Sequence, residues 1–147
     1  MKKLLMIMGF LGFIVFLSGC AENADLYPVQ GPISISNPQI IKCKFIYNGT
    51  GHGTIEVFMP DGEICKGEYS TISEGSFSTV SGTAISRHDW ATIFGEGFSV
   101  SNMQPGMATA IGNKGTIISV EYYVDAFSDH GFGVGKDNKG NLYRLQF

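Results

Sequence analysis

From about residue 39 onward, apolar and polar residues tend to alternate in short runs separated by turns rich in glycine, asparagine and aspartate. This period-2 pattern is that of half-buried β-strands. Residues 40–47 read as a strand and Asn48-Gly49-Thr50-Gly51 as its turn. Residues 53–59 read as a second strand. Pro60-Asp61-Gly62 is a strong turn signal, because proline presets one dihedral and glycine supplies a positive one. Residues 63–71 read as the return strand, with Ile64 and Lys66 on one face and Cys65 on the other.

The middle is less regular. Residues 77–85 read as a strand, and residues 87–94 suit a strand or a short helix. Ser86 is a candidate helix cap with Asp89 three residues on, and Gly95 and Gly97 would end a helix quickly. The last third is the best patterned. Residues 107–111 and 116–124 flank the turn Gly112-Asn113-Lys114-Gly115. Residues 131–136 and 141–147 flank Asp137-Asn138-Lys139-Gly140. The incoming strands are glycine-rich, as expected where a sheet bends or backbones approach closely. The expectation is an all-β domain, a small antiparallel meander forming a barrel or a sandwich of about 7–9 strands. Contiguous hairpins without long crossovers favour the barrel.

Residues 20–38 break this pattern. Ala21-Glu22-Asn23-Ala24-Asp25 is small and polar, and Pro28, Pro32 and Pro38 follow. Proline removes backbone donors and favours extended chain, so this stretch reads as a Pro-rich tether that Leu26, Tyr27, Val29 and Ile33 lay against the domain.

Ahead of it, Lys2 and Lys3 precede an apolar run over residues 4–17, the layout of a secretory signal and too short for a comfortable bilayer span. Leu17-Ser18-Gly19-Cys20 then resembles the lipobox of bacterial lipoproteins. The resemblance implies cleavage before Cys20, acylation of its thiol with palmitate or similar chains, and attachment to a membrane of the cell envelope. Ala21, where inner-membrane lipoproteins carry aspartate, resembles the outer-membrane pattern in a double-membraned host, with the domain facing the periplasm. The organisation is then a signal peptide (1–19), a lipidated N-terminus and tether (20–38) and one β domain (39–147).

Composition adjusts this picture. Removing 19 of 147 residues leaves 128, one domain by size. Loss of Lys2 and Lys3 takes the ten basic residues to eight against thirteen acidic, a net charge of −5. An acidic surface argues against nucleic acid and against electrostatic docking on anionic lipid. With Cys20 committed to lipid, Cys43 and Cys65 form an even pair in an oxidising compartment. A disulfide between them closes a loop of about 23 residues, worth on the order of 3 kcal/mol. A metal site is the weaker alternative.

Candidate chemistry is sparse. There is no Gly-x-Ser-x-Gly elbow, and Gly131-Phe132-Gly133-Val134-Gly135 opens no helix, so it is no phosphate loop. No cofactor is implied. The best polar cluster is Asp125, Asp129 and His130, with Arg87, His88 and Trp90 as further contributors if the fold gathers them. Glu56, Glu63 and Glu68 read as solvent-face strand positions. His52 reads as a turn residue. The aromatics Trp90, Phe94, Phe98, Tyr122, Tyr123 and Tyr143 read as core, and as platforms for a sugar or protein if exposed.

Three functions follow. The first is a non-catalytic binding or structural role at the envelope, with an envelope protein or cell-wall component as partner. The second is inhibition of lysozyme or another envelope hydrolase, since the layout is similar to membrane-bound lysozyme inhibitors, small lipoproteins with a disulfide-bearing antiparallel barrel. Here Ser81-Gly82-Thr83-Ala84 is followed by Ile85, where that family's motif has tyrosine. The third is a hydrolase with a site near His88 and His130.

Overall fold

The computed structural model describes residues 21–49, 51–71, 85–95, 103–125, 127, 128 and 130–147. In chain order these form β1 (Ala21–Gln30), α1 (Pro32–Ser36), β2 (Ile41–Tyr47), β3 (His52–Phe58) and β4 (Ile64–Thr71). Then come α2 (Arg87–Phe94), β5 (Gln104–Gly112), β6 (Ile117–Val124), β7 (Gly131–Asp137) and β8 (Leu142–Gln146). The eight strands pair in sequence order, and β1 pairs with both β2 and β8, so the sheet closes into an antiparallel barrel. Closure removes the edges that an open meander would expose.

Alternation decides which side chains enter. Leu26, Ile41, Cys43, Ile55, Val57, Val120 and Leu145 are almost fully buried inside. Lys42, Thr54, Lys66 and Glu68 stand exposed on the outer wall. Burying each large apolar side chain contributes about 1.5–3 kcal/mol, so the filled interior drives closure. Some of the outward charges pair across strands, Lys42 with Asp25 at 2.8 Å and Lys66 with Glu56 at 2.7 Å.

The glycine-rich strands have a steric explanation. A Cβ on Gly53 would lie 2.7 Å from the Tyr69 ring, on Gly106 2.2 Å from the Tyr122 ring, and on Gly131 2.1 Å from the Phe147 ring. Each aromatic ring occupies space that a glycine leaves empty.

Two expectations are corrected. The stretch read as a tether begins as a barrel strand: β1 runs from Ala21, and Ala24 and Leu26 are buried in the core. Pro28 is accommodated because the β1–β8 register shifts between Pro28 and Gln30, an irregularity of the kind that tolerates a missing donor. After Gly31, in the left-handed region at φ 99°, α1 folds across one end of the barrel. There the Ile33 N–H donates to Asn141 Oδ1 at 2.8 Å.

The second correction concerns the disulfide. Cys43 and Cys65 are buried free thiols. Cys43 faces Val57, and Val57 faces Cys65, so a whole strand stands between them. Two strand spacings separate their Cα atoms by about 9–10 Å, beyond the roughly 7 Å limit for a bridge. Cys43 Sγ donates instead to the Ala24 carbonyl at 3.2 Å.

The ambiguous stretch at 87–94 is helical. Ser86 and Asp89 form a reciprocal capping box, and Gly95 ends the helix. α2 lies outside the barrel, where Trp90, Ile93 and Phe94 cover Ile85, Val134 and Leu142. The strand expected at 77–85 falls, up to residue 84, outside the described residues, as do Phe98, the signal segment and Cys20.

Candidate functional site at the barrel mouth

The two ends of the barrel differ in chemistry. The end formed by α1 and the turns at 59–63, 112–116 and 137–141 is closed by buried polar groups. Glu63 is fully buried there. Its carboxylate accepts from the Thr116 hydroxyl, from the Thr116 N–H at 3.2 Å and from the Lys114 N–H at 2.7 Å. The Thr116 bond, helped by these backbone donors and by Lys139, holds the Glu63 carboxyl below the usual range against the opposing effect of burial. Asp137 accepts from the Tyr143 hydroxyl at 2.8 Å, from Asn141 Nδ2 at 2.7 Å and from the Asn141 N–H at 2.9 Å. Burial and this carboxylate both raise the Tyr143 phenol. Glu63 is thus not a solvent-face residue. It shares the parity of Cys65, two positions on, and that parity is the signal that marks it as interior.

The opposite end is an open mouth. Its volume is about 900 Å³, within the range of small-molecule sites. Phe45, Tyr47, Tyr69, Tyr122 and Phe147 line it. Phe45 meets Tyr69 edge-on with centroids 5.1 Å apart and Tyr122 at 5.6 Å, and Phe147 closes the cluster at 5.6 Å from Phe45 and 5.8 Å from Tyr122. These contacts make a rigid aromatic floor. The Tyr122 hydroxyl lies 3.1 Å from Thr71 Oγ1. Burial pushes its phenol up to about 12, so the hydroxyl stays neutral.

The polar part of the lining is Glu22, Asn23, Thr71, Gln104 and Asp125. Glu22 is opposite Phe45 in register, and its charge acts on both Tyr69 and Tyr122. Asp125 accepts from the Phe127 N–H at 2.8 Å and the Ser128 N–H at 3.0 Å, and these bonds lower its carboxyl. Among the described residues, no lysine or arginine lines the mouth. Lys42, Lys66, Lys114, Lys136 and Lys139 all stand in the closed half, as the strand registers and turns place them.

Of the residues singled out from the sequence, Asp125 and His130 come together at the mouth, where the Asp125 N–H donates to the His130 carbonyl at 2.9 Å. Asp129 and the side chain of Arg87 lie outside the described residues. His88 and Trp90 belong to α2 on the outer wall. The first turn of α2 is pinned by Asp89 to Lys136 at 3.1 Å. Lys136 lies roughly 20 Å of strand from His130, at about 3.3 Å per residue. The fold therefore does not unite His88 with His130. Trp90 stacks on Phe94 at 5.5 Å, meets Tyr123 at 5.5 Å, and donates from Nε1 to Glu121 Oε2 at 3.2 Å, a packing role. His52, read as a turn residue, is the first residue of β3.

The sequence reading missed Phe45, Tyr47, Tyr69 and Glu22 as a group. They lie on three different strands, and only closure of the sheet gathers them. No family model, no curated protein and no solved structure matches the chain.

Proposed function

We propose that this chain is a lipid-anchored cell-envelope protein with a non-catalytic binding role, and that its ligand enters the barrel mouth. The observation that carries this reading is the concave, aromatic-lined mouth at the end where β1 begins. Cys20, the residue that resembles a lipobox cysteine, immediately precedes Ala21 at that mouth. Acyl chains on Cys20 would hold the mouth beside the bilayer surface with no spacer between them. Exposed Lys, Thr and Glu side chains on the outer wall of β2–β4 do not make the lipid-facing apolar band of a membrane-spanning barrel. A lipid anchor supplies the attachment that such a wall lacks. The acidic composition and Ala21 are consistent with a periplasm-facing outer-membrane site in a double-membraned host.

The anchor is tested by Cys20→Ser, which abolishes incorporation of a labelled fatty acid and releases the chain from sedimented membranes. The mouth is tested with N-phenyl-1-naphthylamine, a neutral apolar fluorophore. It brightens on binding the mature protein and does so much less with Val124→Trp, which fills the mouth. Equal brightening with both proteins would remove the mouth as the binding site.

A further inference from the structure

The mouth has a chemical bias that the closed end lacks. Among the described residues five aromatic side chains line it together with two carboxylates, Glu22 and Asp125, and no lysine or arginine, while His130 stands beside Asp125. Aromatic faces carry partial negative charge and attract cations, more strongly where water is partly excluded. The two carboxylates add a field of the same sign, and concave walls focus it. The basic residues Lys114 and Lys139 stand at the opposite end, so the molecule has a negative mouth and a lysine-bearing base.

We infer that the mouth binds an organic cation, an ammonium group carried on an apolar body, with the apolar body over Phe45 and Phe147 and the charge near Glu22 and Asp125. This inference rests on the binding role proposed above and names the ligand class for the same site. The rings provide area for the apolar part, and burial keeps the Tyr69 and Tyr122 hydroxyls protonated, leaving the negative potential to the two carboxylates. Anionic and phosphate-bearing ligands are disfavoured, because no lysine or arginine among the described lining residues neutralises them. The position of the anchor favours the same ligand. Any anionic lipid surface concentrates amphiphilic cations, and the mouth begins at Ala21, next to the proposed anchor Cys20.

Three probes that share one octyl tail separate charge from apolar contact: n-octyltrimethylammonium, octyl glucoside and octyl sulfate, each below its micelle concentration. They are titrated by calorimetry into the mature chain carrying Cys20→Ser, which keeps every strand. The cationic probe is expected to bind about tenfold more tightly than the neutral one, the magnitude of a partly desolvated cation–π contact with a nearby carboxylate. Octyl sulfate is expected to bind most weakly, and added salt to weaken the cationic probe alone. Glu22→Gln and Asp125→Asn each weaken the cationic probe severalfold and leave octyl glucoside unchanged, with circular dichroism confirming the fold.

If octyl glucoside or octyl sulfate binds as tightly as the cation, or if neither carboxylate matters, the cation inference fails and the binding role stands. If none of the three binds, both fail.

Discussion

At the closed end of the barrel, Glu63 and Asp137 are buried carboxylates satisfied by hydrogen bonds from Thr116, Lys114, Asn141 and Tyr143. At the mouth, Glu22 is exposed, Asp125 is half-buried, and the interior is aromatic. These two pairs of carboxylates stand at opposite ends of the same barrel, yet their consequences differ. A buried polar network is costly to break, because each lost partner leaves another group desolvated and unpaired. A solvated rim can change at little cost to the fold. The contrast separates the part of the barrel that specifies structure from the part free to bind.

The largest expected effect is at the closed end. Asp137→Ala deprives the Tyr143 hydroxyl and the Asn141 amide of their acceptor and is expected to cost about 3–5 kcal/mol in a urea titration. A loss below 1 kcal/mol would show that the network does not hold this end together.

Next in size is the pH response. Burial raises the Cys43 thiol to about 12, the Cys65 thiol to about 11 and the Tyr122 phenol to about 12. Each group keeps its proton in the fold at a pH where the unfolded chain has lost it. Stability is therefore full below about pH 8.5, the unfolded thiol value, and falls as pH rises toward the folded values, by about 1.4 kcal/mol per unit for each group in its window. On the acid side, the lowered Glu63 carboxyl contributes stability that is present above about pH 4.3 and lost as pH falls below it. Glu63→Gln should flatten that acid limb in thermal melts across pH, and an unchanged limb would place acid sensitivity elsewhere.

Gly112→Ala comes third. Its Cβ would lie 2.0 Å from Glu63 Oε1, so the carboxylate must move. The expected cost is about 1–3 kcal/mol. The smallest change is Glu22→Gln at the mouth, within about 0.5 kcal/mol of the parent. A large loss there would erase the distinction between the two ends. The thiols add a qualitative check: mass spectrometry of the unfolded, unreduced protein after alkylation should show Cys43 and Cys65 both modified.

The hairpins were legible because turn chemistry is local. Pro60-Asp61-Gly62 and the two Gly-closed turns at 112–115 and 137–140 fall where the residues place them, all at the closed end. The capping box of α2 was legible for the same reason. β1 was not, because polar residues and Pro28 hide a strand whose partners are 15–25 and more than 110 residues away. The disulfide was misread because counting cysteines ignores topology. The meander itself sets one strand, with Val57, between Cys43 and Cys65. The site was least legible. Asp125 and His130 were found as neighbours in sequence, whereas Glu22, Phe45, Tyr69 and Phe147 meet only when the first and last strands close the ring.

That seam, with Asp25 opposite Gln146, also sets the order of assembly. A chain made from its N-terminus produces β1 first and the strand that locks it last. Until Leu142–Gln146 emerge, β1 and β7 each present an unpaired edge, a template for association with other chains. Forming the most distant contact of the molecule is the natural slow step of folding. Nascent chains stalled before Leu142–Gln146 are made would therefore be the protein's most vulnerable species, open to proteases and to one another, while the closed ring of eight strands has no free edge to offer.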